Sequence, residues 1–455
     1  MFKKREEVSM KRKLFIILST LVLIITLIFS FVFKDNKENI KEISKVEKLL
    51  SKPEGIQAYT LNGENTNKEF NDLINNYVLD KITCKNGTIA TYNKATNEVS
   101  LSNIHMPDYC TMNFRYTIYG KLLADNSTIK TRTDFSSVFT ETNTGALYKS
   151  TESIAGSTPK DVYYFAGNAK NNWVKFGGFY WRIIRTNHDG SVRLLYAGTS
   201  PDTTEGYIGS SAFNTEYNSP KYVGYMYGED DSTLEGIRAN TKDSTIKTYI
   251  DNWYSNNLSA YTKYLSKDAV YCNDRELDNG QTWTYATNQS SQIKFVGYSR
   301  IDRDGNGAKA NPTYNCSNNK DAFSGSNVEA KLKYPIALIT ADELEFAGAS
   351  TFNALVSPYT WYYNNSKGES IVNDKWWFTM TPLSFVIGKA VQSYVWDVAG
   401  KVPATPGRLG NGYVHGVVNN EVIEEKARPV ISIKSDVLYS KGNGSPENPY
   451  EIVYN

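Results

Sequence analysis

FYWRIIRTNHDGSVRLLY, residues 179–196, sets two aromatic and β-branched runs on either side of Asn187-His-Asp-Gly190. Asp-Gly between such runs is a hairpin signal, because the glycine supplies the positive φ of a tight turn. The spacing predicts strands over 179–185 and 192–196, with His188 in the turn. Strand-like runs recur downstream at 376–380, 394–398, 413–417 and 428–433. Helical signals are fewer. Ser244 can cap a helix that carries Ile246, Ile250, Trp253 and Leu258 on one face. Thr340-Ala-Asp-Glu343 is a capping-box pattern, and Gly348 can close the short helix it opens. Strands dominate and helices are short, so residues 161–455 read as an α+β domain.

Upstream of it the Ser/Thr-dense stretch 126–160 reads as an interdomain connection. Residues 55–125 read as a small β domain: 89–92 and 99–102 alternate across a turn-prone Asn93–Asn97 segment, and 113–118 continues the pattern. Residues 34–54 are charged, with apolar residues near helical spacing, and read as a juxtamembrane stalk. Residues 14–33, LFIILSTLVLIITLIFSFVF, hold no charge. As a helix they would span about 30 Å, the thickness of a bilayer's hydrocarbon core. The 13 residues before them carry six basic and two acidic side chains, a net +4. The positive-inside rule puts that tail in the cytoplasm and the C-terminal region outside. The run is too long for a cleaved signal peptide and lacks a small-x-small site, so a retained single-pass anchor in the cell membrane is expected.

Whole-chain arithmetic follows from that division. The 455 residues carry a net charge of +2, and removing the tail's +4 leaves the exported part at −2. So balanced a charge gives no reason to expect a nucleic-acid partner. Two cysteines fall in each exported unit: Cys84 with Cys110, and Cys272 with Cys316. In an oxidising compartment these pairs are expected as disulfides, each stabilising by about 3.5–4 kcal/mol in the chain-entropy account.

Catalytic patterns are sparse. His105, His188 and His415 sit in separate segments with no partner at a useful spacing, and no HExxH, GxSxG or phosphate loop occurs. No cofactor is expected. Asp302, Asp304 and Asn306, followed by Gly307, match the first half of a calcium loop, but Thr313 stands where the bidentate Glu belongs. The motif reads either as that metal site or as a polar turn. The aromatics divide: Trp173, Trp181, Trp253, Trp376 and Trp377 lie in core-like patterns, whereas Trp361, Tyr362 and Tyr363 lie in Asn-rich context. Tyr and Trp beside Asn, Ser and Gly is the chemistry of adaptable recognition surfaces.

Several motifs in fixed order carry a family resemblance. They include Tyr163-Tyr-Phe-Ala-Gly-Asn168, Trp181-Arg-Ile-Ile-Arg185, Tyr271-Cys-Asn-Asp-Arg275, Trp376-Trp-Phe-Thr-Met-Thr-Pro382, Arg428-Pro-Val430 and Gly442-Asn-Gly-Ser-Pro-Glu-Asn-Pro-Tyr450. Residues 161–455 resemble the main domain of membrane-anchored surface proteins of Firmicutes-type bacteria, a domain of unknown function regarded as C-type-lectin-like. That fold is shared with formylglycine-generating enzymes and with retroelement-diversified receptors. The resemblance to the receptors implies a ligand-facing segment over 383–426, with Phe385, Lys389, Gln392, Tyr394, Trp396, Asp397, Arg408, Asn411, Tyr413 and His415, to which Trp361 is added on composition. The cysteine contexts do not match the enzymes' active-site pair. The expectation is a surface protein, not an enzyme, that binds an extracellular protein or glycan. The alternatives are a cell-envelope enzyme on the same fold and a structural adhesion component.

Overall fold

The computed structural model describes residues 56–454 apart from 94, 97, 140, 143–144, 154–156, 284–291, 302–309, 352, 387–391, 401–407, 414–415 and 419–420. The expected anchor, residues 14–33, lies outside the described residues, as does the stalk. Among the described residues no helix is long and apolar enough to cross a membrane. The architecture is α+β, mostly sheet with few helices. The chain divides into two compact units after Arg115.

In the first unit four strands pair in the order Glu64–Asn65, Ile56–Leu61, Cys110–Arg115, Val78–Cys84. Ile56, Met112 and Phe114 alternate onto one face, and the helix Phe70–Asn76 covers it with Phe70 and Leu73. The rings of Tyr59 and Phe70 stack with centroids 5.7 Å apart. The expected hairpin is present as Ile89–Asn93 against Glu98–Ser102. The Cys84–Cys110 disulfide joins two register partners at one end of the sheet.

The second unit starts earlier than the sequence pattern indicates. Apolar alternation runs on through Tyr116 and Ile118, but the strand ends at Arg115, and Thr117 then caps a helix, Ile118–Asp125, by accepting a bond from Gly120 N. Ile118 and Leu122 of that helix belong to the main core. The stretch 126–160, read as a connection, supplies two strands, Thr128–Thr131 and Ala146–Glu152, to the main sheet. Leu147 and Tyr148 of the second strand are buried, and so is Phe135, which outweighs the stretch's Ser/Thr content.

The main sheet runs Ile336–Leu338, Pro429–Ile433, Val192–Tyr196, Phe179–Thr186, Trp173–Phe176, Tyr450–Ile452, Tyr439–Lys441, with three further strands branching from Phe179–Thr186 through Lys160–Tyr164. The 179–196 hairpin is its centre, and Trp181, Ile183, Leu194 and Leu195 are fully buried. A second sheet is built on the ten-residue strand Trp377–Val386. Both predicted helices form. Ser244 caps Thr245–Asn257, and Thr340 with Glu343 makes the capping box of Ala341–Ala347, which Gly348 ends in the left-handed conformation at φ 117°. The second disulfide, Cys272–Cys316, is present.

Long loops cross this core, and their buried carbonyls need donors. Two arginines supply them. Arg182, stacked over the Trp173 ring at 4.1 Å, donates to Asn172 Oδ1, Asn364 O and Ala169 O. Arg428, 4.6 Å over the Trp377 ring, donates to Tyr196 O, Gly206 O and Tyr362 O. Burial pushes the Arg428 guanidinium down to about 9, so it stays charged at neutral pH. Replacing Arg428 by Met would keep most of the volume and orphan three buried carbonyls. Urea unfolding of Arg428→Met should show a loss of about 3 kcal/mol or more. A loss below about 1 kcal/mol, the size of an ordinary surface change, would contradict this role.

Candidate functional site

Of the residues expected to face a ligand, three whose side chains are described are buried: Trp361, Phe385 and Asp397. Trp361 is a core residue: its Nε1 donates to Phe165 O at 2.9 Å and its backbone N to Gly167 O at 2.9 Å. Tyr362 and Tyr363 are buried beside it. The Asn-rich loop that looked open is pinned beneath the sheet by those bonds and by Arg182 and Arg428. Phe385 is also buried, because its strand is covered along almost its whole length and pairs with Ile293. Asp397 is buried too. Tyr394 and Arg408 are half-buried. Gln392, Tyr394, Trp396, Asn411 and Tyr413 lie on two paired strands, Gln392–Val398 and Leu409–Tyr413. Lys389 and His415 lie outside the described residues, as do Asp302, Asp304 and Asn306. Among the described residues no group of three His, Cys, Asp or Glu side chains is arranged to hold a metal ion.

A different region carries aromatic rings around a concavity, exposed at Tyr454, half-buried at Tyr261 and buried at Tyr264. Tyr261, Tyr264 and Tyr454 line an open cleft of about 400 Å³, with Lys175, Lys263 and Glu451 at its rim. The 3-10 helix Ser259–Tyr264 explains two of the rings: with three residues per turn, positions 261 and 264 stand on the same side. The third ring comes from Tyr454, far away in the sequence. Tyr450–Ile452 pairs in parallel with Trp173–Phe176, and Gly177 N donates to Tyr454 Oη at 3.0 Å. Tyr454 remains 47 % exposed. Its ring centroid is 5.6 Å from Tyr261 and 5.4 Å from Tyr264, both edge-on, and 6.2 Å from the buried Phe176. Gly177 and Gly178, at φ 61° and 85°, make the tight turn that lets the ring approach. A Cβ at Gly177 would lie 2.6 Å from Leu258.

The same segment walls a second, larger cleft of about 620 Å³, lined among others by Lys267, Lys331, Lys333 and Lys434 with Asp189, Asp268 and Asp436. Asp189 is held in place there, accepting from Ser191 and from Ser266 Oγ at 2.7 Å. One face of residues 260–268 therefore presents tyrosine rings, and the other presents mixed charge. The Tyr-x-x-Tyr spacing was legible in the sequence. The arrival of Tyr454 was not, because it depends on a strand pairing between distant parts of the chain.

Asp397 has another role. It meets Glu425 in the interior, where the two carboxyl groups hydrogen-bond. Burial, and then the Asp397 charge, hold the Glu425 carboxyl well above its usual range. Such a pair retains a proton that both acids would lose in the unfolded chain. The folded state then binds more protons than the unfolded one from the ordinary carboxylate range, near 4.5, up to the raised value. This contribution to stability is fully present below that window and is lost as pH rises through it. Glu425→Gln should flatten the slope: its melting temperature should exceed the wild type's at pH 8 and converge with it near pH 4.5, as read by thermal unfolding across that range. Comparison with protein-family models, with curated proteins and with solved structures gives no match to the chain.

Proposed function

We propose that the chain is a single-pass cell-surface protein, its short basic tail inside, whose C-terminal unit is a C-type-lectin-like binding module for a carbohydrate. The observation that carries the ligand class is the tyrosine-lined cleft. Tyrosine combines a rigid apolar ring with a polar tip and little rotamer entropy. Sugar rings present apolar C–H faces edged by hydroxyls. Lys175, Lys263 and Glu451 at the rim are suited to bonding those hydroxyls. The mixed-charge cleft across residues 260–268 favours an extended ligand over a single ring. The surface location is supported by the uncharged 14–33 run behind a +4 tail and by the two disulfides. The lectin-like architecture is supported by the ordered motifs and the loop-rich α+β layout.

A glycan array probed with the full chain in lipid nanodiscs tests this reading, and wall polysaccharides belong on it. Binding should appear, and Tyr261→Ala and Tyr454→Ala should each weaken it about tenfold, the equivalent of ~1.4 kcal/mol. Binding that ignores both substitutions would move the site elsewhere. Absence of any glycan binding, or turnover of a wall substrate, would overturn the proposal.

A further inference from the structure

The first unit ends in an apolar tip. Met106 is 81 % exposed, Ile104 58 %, Ile89 54 % and Tyr109 49 %. Single exposed apolar residues need no explanation, but a group of them does. Ile89 opens its strand and the other three lie in the 103–109 loop, and these two segments are bonded together. His105 N donates to Thr88 Oγ1 at 3.0 Å, and Lys85 N donates to Tyr109 O at 3.1 Å. Asp108 accepts from the backbone of Asn86, Thr88 and Tyr109 at 2.7–2.9 Å, and Asn86 Nδ2 donates to Pro107 O. The loop polar groups are therefore largely satisfied within the tip. Those bonds hold the Asp108 carboxyl well below its usual range, so its charge is engaged by backbone N–H groups.

The tip's place in the unit points to its partner. The described chain begins at Ile56, and Ile56 is the register partner of Cys110, the residue next to Tyr109. Cys84, just before the other loop, pairs with the same Cys110. The chain thus enters this unit at the end that carries the apolar loops. Only residues 34–55, 22 in number, separate that entry from the 14–33 run. Even fully extended they reach about 75 Å. So short a leash keeps the tip at high effective concentration near any bilayer that holds the run.

We propose that the tip formed by residues 85–89 and 102–109 inserts Ile89, Ile104, Met106 and Tyr109 into the headgroup–acyl boundary of the bilayer. The proposal rests on the reading of 14–33 as a membrane anchor. Ile and Met supply apolar area, and Tyr suits the interface because one end is apolar and the other polar. The Glu64–Asn65 strand lies at the other end of the sheet, since its partner Leu61 is in register with Phe114. It is exposed and polar, and faces water.

Because all four native cysteines are paired, one added cysteine is the only free thiol. Met106→Cys and Glu64→Cys are made in the full chain, spin-labelled and reconstituted in phosphatidylcholine–phosphatidylglycerol vesicles. Power saturation then compares collision with oxygen, which partitions into lipid, and with a water-soluble nickel chelate. Oxygen should dominate at position 106 and nickel at position 64. Nickel dominating at both, in vesicles that keep the protein through an alkaline wash, overturns the tip proposal and leaves the anchor standing. Loss of the protein in that wash overturns both. Shielding of position 106 from both reagents, with dipolar broadening, would mean that a second copy covers the tip instead of lipid.

Discussion

Buried backbone carbonyls outside regular structure are the constraint on which the second unit depends. A sheet satisfies its own polar groups, but the loops laid against this one cannot. Arg182 and Arg428 resolve the conflict with donors arranged in a rigid plane, each stacked on a tryptophan. Each reaches a different set of loop carbonyls, and both engage the 359–365 loop, through Asn364 O and Tyr362 O. That is why Trp361 ends in the core. Arg275 does the same work elsewhere, donating to Met226 O, Ile237 O and Lys320 O while its Nε engages Asp321. Lysine could not replace these side chains, because a single ammonium cannot span several fixed acceptors.

The buried charges on the helix Ala341–Ala347 follow the same logic. Glu343 closes its capping box with one oxygen, and the other receives Arg185 Nε at 2.9 Å with Arg193 Nε 2.6 Å away. Arg300 ties Asp342 to Asp274, 2.7 Å from each. A short helix with acidic residues in its first turn is thereby locked to the sheet. The Asp397–Glu425 pair differs, since it balances acid against acid and keeps a proton instead of a cation.

Much of the local structure was legible in the residues. Asp-Gly at 189–190, Ser244, the Thr340–Glu343 box and the 89–102 hairpin all rest on short-range chemistry, and all form as read. The cysteine pairs followed from compartment and proximity in sequence. The candidate site was less legible. Trp361, Phe385 and Asp397 carry no local mark of burial, because what buries them is contributed by Phe165, Ile293 and Glu425 from distant positions. Strands in 126–160 were hidden by Ser and Thr and by the lack of alternation, since the buried Ala146, Leu147 and Tyr148 are consecutive. The tyrosine cleft fell between the two cases, with two rings in a readable spacing and the third supplied by topology.

The pairing of Val174 with Tyr450 also has a temporal meaning. A chain that leaves its ribosome N-terminus first cannot pair Trp173–Phe176 with Tyr450–Ile452 until about 275 further residues have emerged. Until then the Trp173–Phe176 strand has an open edge. Pairings this distant close slowly, and exposed edges invite association with other chains. If the 14–33 run holds the chain at a bilayer, it separates neighbouring copies during that interval. The Tyr450–Ile452 strand would then act as a latch, because the same few residues that pair with Trp173–Phe176 also deliver Tyr454 to the cleft. A copy lacking residues 450–454 would lose that pairing and one ring of the proposed binding surface together.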